Sequence, residues 1–398
     1  MPLTRLLVAG LTVSILSGAI CVSSPAGPGD PADEGDDPGS NPALAPPTLS
    51  EAALRSPEPV CARSSTIICE DFESPGQSEW SEHRDNDFNV QTDAAFASQK
   101  SLRQRYRLAQ VSAGWLTWFM GDHPLGGVRS DERFDEIYLR FYHRFQEGWP
   151  EAYPPKMARV RSHFVDGGWR FAWSEYTWIQ QSQPGGTVVS DPVSHVAEPD
   201  GTQYLEREDR RWLGRKLTSL RFADRLGQFV AIEVRVKLNT PGQNDGLIEY
   251  WIDGRPDLRR EGINLRGAYT GTTINTIMLD TYWNDGAPEE GLMRWYDNVV
   301  VATERIGCAR FTVAKSPLAD QSGWRLQLAS APNESALLWD SGEVSGAGTE
   351  IDISESTGDF ANGVAPCLYP SASYVMRARH ADGSGWSGWS DWTPVFGG

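Results

Sequence analysis

Basic and aromatic side chains recur at every second position within residues 138–144 and again within 159–163. In Ile137-Tyr-Leu-Arg-Phe-Tyr-His-Arg-Phe145, an extended chain turns Ile137, Leu139, Phe141 and Phe145 to one side and Tyr138, Arg140, Tyr142 and Arg144 to the other. Arg159, Arg161 and His163 repeat the spacing downstream, and Arg103, Arg105 and Arg107 do so upstream. Aromatic rings stack on sugar rings, and a guanidinium holds a carboxylate or sulfate through two parallel hydrogen bonds. Adjacent strands of this kind predict a basic, aromatic-lined face suited to an anionic polysaccharide. Ala231–Leu238 alternates in the same way and offers Glu233 and Arg235 on its polar side. The plainer alternative is a solvated sheet face whose arginines pair with the many Asp and Glu residues. His163 is a candidate base in its own right, because imidazole titrates near neutral pH.

Three further constellations carry possible chemistry. Glu73 near the first strand and Asp297 near the last would suit a structural calcium if the terminal strands pair. Trp283, between Tyr282 and Asn284, is a candidate sugar platform. Glu350-Ile-Asp-Ile-Ser-Glu355 has the E-x-D-x-x-E spacing of retaining β-glucanases, whose two carboxylates stand about 5.5 Å apart. Only 43 residues follow it, too few to complete a catalytic sheet, so a glycoside hydrolase is the weaker reading.

Stretches of period two bounded by Gly, Pro, Asn and Asp run from residue 65 to 308, with no sustained 3.6-residue pattern. They predict an all-β, two-sheet antiparallel sandwich. Residues 237–254, KLNTPGQNDGLIEYWIDG, read as a strand, a Pro-Gly turn and an aromatic strand closing on Asp253-Gly254. Residues 309–398 form a separate unit of the size of an immunoglobulin-like sandwich. In it, Arg377 and Arg379 are spaced to interleave with Trp386 and Trp389.

Met1–Arg5 followed by an apolar run to Ile20 predicts a signal peptide over 1–22 and a secreted or cell-surface protein, with Cys21 a possible lipid anchor. The run is too short for a transmembrane helix. Residues 23–60, rich in Pro, Gly and Asp, predict a disordered linker, and 61–308 the main domain. Cys61, Cys69, Cys308 and Cys367 predict two disulfides, with three pairings open. A net charge of −17 argues against nucleic acid as a partner; between residues 65 and 308 the chain still carries 28 Lys and Arg.

Cys69-Glu-Asp-Phe-Glu73, residues 237–254 and Tyr296-Asp-Asn-Val-Val-Val301 together resemble the concanavalin A-like jelly roll of polysaccharide lyases of the alginate and glucuronan lyase type. The C-terminal unit resembles fibronectin type III domains, and Trp386-Ser-Gly-Trp-Ser390 looks like their W-S-x-W-S motif. The first resemblance implies β-elimination on a uronate polymer with no cofactor required for the chemistry. A cation or amide neutralises the carboxylate, a base takes the adjacent proton, and an acid protonates the leaving oxygen. Gly148-Trp-Pro150 followed by Lys156 matches the lysine of that group; by the same resemblance Arg170 is the neutraliser and Tyr176 or Tyr204 the proton donor. The flanking Gly-Gly and Leu-Pro-Gly of the group are missing here, which keeps open a non-catalytic glycan-binding or adhesion module of the same fold.

Overall fold

The computed structural model describes residues 41, 44–54, 57–74, 80–85, 87–150, 155–165, 169–180, 186–195, 210–271 and 273–396. The signal segment, Cys21 and Tyr204 lie outside them. Among the described residues no helix is long and apolar enough to cross a membrane.

The fold is all-β, with several antiparallel sheets stacked as sandwiches. One sheet of the larger sandwich runs Arg211–Trp212, Val193–Ser194, Trp169–Gln180, Lys156–Val165, Thr276–Asp280, Gly114–Phe119, Glu82–Asp85, with Thr187–Ser190 paired to the Trp169–Gln180 strand and Lys216–Arg221 paired in turn to Thr187–Ser190. We call it the Lys156 sheet. The facing sheet, the Glu136 sheet, runs Arg255–Ile263, Gly246–Ile252, Phe229–Lys237, Glu136–Phe145, Met293–Ala302, Ser101–Arg105, Phe88–Gln91, with Thr66–Glu70 on the Met293–Ala302 strand. Alternation puts Ile137, Leu139, Phe141 and Phe145 against Leu116, Trp118, Met157, Val160, Ile277 and Leu279 in one core. Each such buried aliphatic side chain contributes about 1.5–3 kcal/mol.

A second sandwich joins the sheet Ala53–Leu54, Phe311–Ala314, Glu350–Ile353 to a seven-stranded sheet built on Gly323–Ala329 and Val375–Asp382. Trp324, Leu326, Leu328, Trp339 and Met376 fill its core. Glu350 and Asp352 lie on its Glu350–Ile353 strand, where the Thr312 hydroxyl donates to Asp352 at 2.6 Å. The Arg377 guanidinium lies over Trp389 and Trp392 at 4.4 and 4.6 Å, and that of Arg379 over Trp386 and Trp389 at 4.7 and 4.8 Å. This is the interleaving expected from their spacing.

The disordered linker expected over 23–60 is corrected at its C-terminal end. Ala53 and Leu54 pair with Thr312 and Phe311, Leu49 bridges Lys315, and Val60 is buried. These few apolar residues, set in a polar stretch, find a surface to cover. Both disulfides form, as Cys61–Cys69 and Cys308–Cys367.

The closing turn of residues 237–254 explains how the two sandwiches meet. Ile252 pairs with Arg255 across Asp253-Gly254, whose φ values of 52° and 80° are those of a two-residue type I′ hairpin. The Asp253 carboxylate accepts from the Ala231 N–H at 3.2 Å, from Arg225 at 2.8 Å and from the Tyr369 hydroxyl of the second sandwich. A Cβ on Gly254 would stand 2.6 Å from Cys308 Sγ and from Pro366 Cγ. Only glycine fits both the turn and the seam.

Candidate functional site

The outer faces of the two large sheets divide the predicted residues. On the Glu136 sheet much of the outer face is covered by other parts of the chain: the second sandwich over Tyr142, Phe229 and Trp295, and the Glu58 turn with the 306–307 segment over Arg140 and Glu233. Tyr142 is fully buried, stacked on Phe96 at 3.8 Å, and its hydroxyl accepts from the Ala309 N–H at 2.9 Å. Arg140 is fully buried in an ion pair with Glu58, a residue of the expected linker. Glu233, also buried, accepts from the Ile306 and Gly307 N–H groups at 2.8 and 3.1 Å. Arg144 lies over Phe229 and Trp295, at 5.9 and 5.2 Å. Arg235 bridges Glu136 and Glu249 while lying over Tyr138, which is half-buried beside Val60 and Val300. Tyr138, Arg140, Tyr142, Arg144, Glu233 and Arg235 are therefore not a sugar-binding face. Their partners are carboxylates, backbone groups and aromatic rings of the chain itself.

The remaining candidates gather on the Lys156 sheet. Its register sets Thr117, Met278, Arg159 and Tyr176 in one row across four strands, and Phe119, Thr276, Arg161, Ser174, Val193 and Trp212 in the next. Arg170 pairs with Phe164 near the far end of the same strand pair. Arg159 is ion-paired to Asp280, and Arg161 is buried.

Lys156 occupies one end of this face. Its Nζ donates to Asn284 Oδ1 at 2.7 Å and lies 4.7 Å from the Tyr282 ring centroid. Its backbone N–H donates to the Tyr282 carbonyl at 2.9 Å, and Pro155 bridges Trp283, so the 282–284 segment is tied to the strand that carries the lysine. Asp280 accepts from the Tyr282 N–H at 3.0 Å, and its own carbonyl accepts from the buried Arg294 at 2.8 Å. Burial disfavours the charged ammonium and pulls the Lys156 pKa down to about 8; Asp280 opposes the shift, while Arg159 and Arg210 add to it. The Arg210 guanidinium lies 4.9 Å over the exposed Trp212 ring.

Trp283 itself is fully buried, between Tyr106 at 5.0 Å and Trp149 at 5.4 Å, so it is no platform. Period two explains the correction: when Trp283 points inward, Tyr282 and Asn284 point outward. Those two neighbours were missed as site residues, though alternation alone marks them.

His163 stands at the other end of its strand. Its Nδ1 is 3.1 Å from the Thr276 hydroxyl and 3.4 Å from His123 Nε2. Burial lowers both imidazoles to about 4, which leaves them neutral near physiological pH. His163 lies seven positions along the strand from Lys156, roughly 23 Å at about 3.3 Å per residue. The two cannot serve one bond.

Glu73 and Asp297 both accept hydrogen bonds from backbone amides of the chain. Glu73 accepts from the Gln99 and Lys100 N–H groups at 3.0 and 2.6 Å, and buried Asp297 from those of Phe96 and Asn298 at 2.7 and 2.8 Å. Calcium takes about six to eight oxygen ligands. Among the described residues no group of three or more His, Cys, Asp or Glu side chains is placed to hold a metal.

No family model and no curated protein matches the chain. Solved structures of similar shape include an endo-β-1,4-glucuronan lyase from the fungus Trichoderma reesei, at 16% identity and TM-score 0.44 over 60% of this chain and 96% of that one. A marine alginate lyase from Aplysia kurodai gives 13% identity and TM-score 0.45 over 61% and 100%. An alginate lyase from a Chlorella virus gives 13% and 0.44 over 60% and 100%.

Proposed function

We propose that the protein acts outside the cell on an anionic, uronate-containing polysaccharide, bound across the Lys156 sheet, and cleaves it by β-elimination. The observation that carries this reading is Lys156: a half-buried amine with its pKa drawn down to about 8, held 2.7 Å from an amide and flanked by guanidinium groups. A lysine so tuned is neutral in a useful fraction at mildly alkaline pH and serves as a base. With Asn284 Oδ1 engaged by the lysine, its amide N–H groups are left to donate to the uronate carboxylate, which Arg210 also attracts. Neutralising that carboxylate makes the adjacent carbon acidic. Lys156 takes the proton from that carbon, its C–H electrons become the new carbon–carbon double bond, and the glycosidic C–O bond breaks. The leaving oxygen then needs a proton. The exposed hydroxyl of Tyr282, whose ring lies beside Nζ, supplies it. Tyr176, opposite Arg159 in register, is the alternative donor.

Incubating the protein with alginate and with glucuronan, and following the ultraviolet absorbance of the unsaturated product, tests the reading. Wild type gives product, and the activity rises with pH along a limb centred near 8; Lys156→Ala gives none. Tight binding without product in the wild type points instead to a glycan-binding module.

A further inference from the structure

A cavity of about 200 Å³ opens at the seam between the sandwiches, beside the Cys308–Cys367 disulfide and far from any role given to Lys156. Arg63, Arg305 and Arg310 line it, together with Ser354, Glu355 and Ser356. Arg305 is fixed in place: it donates to the Gly254 carbonyl at 2.6 Å and lies 4.9 Å over the Trp251 ring. Arg63 and Arg310 make no side-chain hydrogen bond or ion pair among the described residues. In a chain of 53 acidic and 36 basic residues, many of the described arginines pair with a carboxylate, as Arg140, Arg159 and Arg235 do. Two unpaired guanidiniums facing one hollow, with a third anchored beside them, leave it cationic on a protein of net charge −17.

We infer that this cavity is a second binding site, which takes the terminal uronate of an acidic oligosaccharide. The volume is below the roughly 300 Å³ at which drug-sized ligand sites begin, so the occupant is a single small unit. Arg63 and Arg310 match a carboxylate through paired N–H groups. Glu355 and the two serine hydroxyls supply acceptors and donors for ring hydroxyls, which a simple anion lacks. The preference for an anion stands on the cavity alone; the choice of a uronate rests on the reading of the Lys156 face.

The test uses the full chain carrying Lys156→Ala, titrated calorimetrically with glucuronate, glucose and acetate, alone and combined with Arg63→Ala and Arg310→Ala. Glucuronate is expected to bind saturably and glucose and acetate much more weakly. Removing the two arginines should weaken glucuronate at least tenfold with the melting temperature unchanged. No glucuronate binding, or binding untouched by the arginine substitutions, overturns the site; acetate binding as well as glucuronate overturns its sugar recognition. Elimination activity in the wild type is scored separately. Product formed by a protein whose cavity variants bind normally sinks the cavity and spares the Lys156 reading, and the reverse pattern spares the cavity.

Discussion

Arg140 and Arg159 sit on the outward faces of the two sheets of one sandwich, at positions that alternate with core residues in the same way. Arg140 is fully buried, held by Glu58 and by the carbonyls of Gly307 and Asn298. Arg159 pairs with Asp280 next to a half-buried lysine and an exposed tyrosine. The difference lies in what covers each sheet. The Glu136 sheet is covered by the turn that carries Glu58, by the 306–309 segment and by the second sandwich, which bring a carboxylate, backbone amides and carbonyls and aromatic rings to its polar groups, and these become a fastening. The Lys156 sheet keeps a lysine, an amide and a phenol directed outward. Chemically similar faces thus serve adhesion within the chain on one side and, in our reading, recognition of another molecule on the other.

The strongest way to break this comparison is Arg140→Ala. It leaves the buried Glu58 carboxylate without its counter-charge, which costs about 3–5 kcal/mol. The melting temperature should fall on the order of 10 °C, and polysaccharide binding at temperatures where the variant is folded should not change. A variant that melts like wild type would show that the face is not a fastening.

Gly254→Ala attacks the same seam through sterics. The new Cβ meets Cys308 Sγ and Pro366 Cγ at 2.6 Å, at a φ of 80° that L-residues rarely adopt. Overpacking of this kind costs about 1–3 kcal/mol. Differential scanning calorimetry should register the loss, and disulfide titration should show whether the Cys308–Cys367 bond still closes. Wild-type stability in this variant would mean that the two sandwiches meet less tightly than the contacts imply.

On the opposite face, Arg210→Ala removes a guanidinium from over an exposed indole, a contact worth about 0.5–1 kcal/mol at such sites. Stability should barely move. Affinity for the polyanion should drop, and its dependence on salt concentration should flatten, because one cation has left the binding face. An unchanged salt dependence would take Arg210 out of the site.

How far these features could be read in the sequence depends on the residue. The parity of Ile137–Phe145 and Phe229–Lys237 was legible, since the apolar members went to the core as alternation requires. Which object covers the polar face was not. Tyr138, Arg140, Tyr142 and Arg144 read alike whether water, a glycan or a second sandwich lies above them, because alternation records burial on one side only. Lys156 was found through its resemblance to a lyase lysine after a Gly-Trp-Pro turn. Its partners Tyr282 and Asn284 were within reach of the period-two rule, but the large indole between them drew the assignment to Trp283. Glu58 was lost to composition: one carboxylate in a Pro- and Asp-rich stretch gives no sign that an arginine 82 positions later will bury it.

The smallest effect is also the one that ties stability to the proposed chemistry. Lys156 titrates near 8 in the folded chain against 10.5 when unfolded, so below pH 8 both states are protonated and the folded one carries the penalty of a half-buried charge. As pH rises from 8 to 10.5 the folded lysine loses its proton first, and that penalty fades. Lys156→Met removes the charge and keeps the length. The variant should therefore melt slightly above wild type at pH 7, with the gap closing as pH approaches 10, and it should form no unsaturated product at any pH. Solvent reaching the partly exposed amine keeps the gap small. A gap that stays constant with pH would mean that the amine is not held in a desolvated position, and the base assigned to the elimination would lose its physical ground.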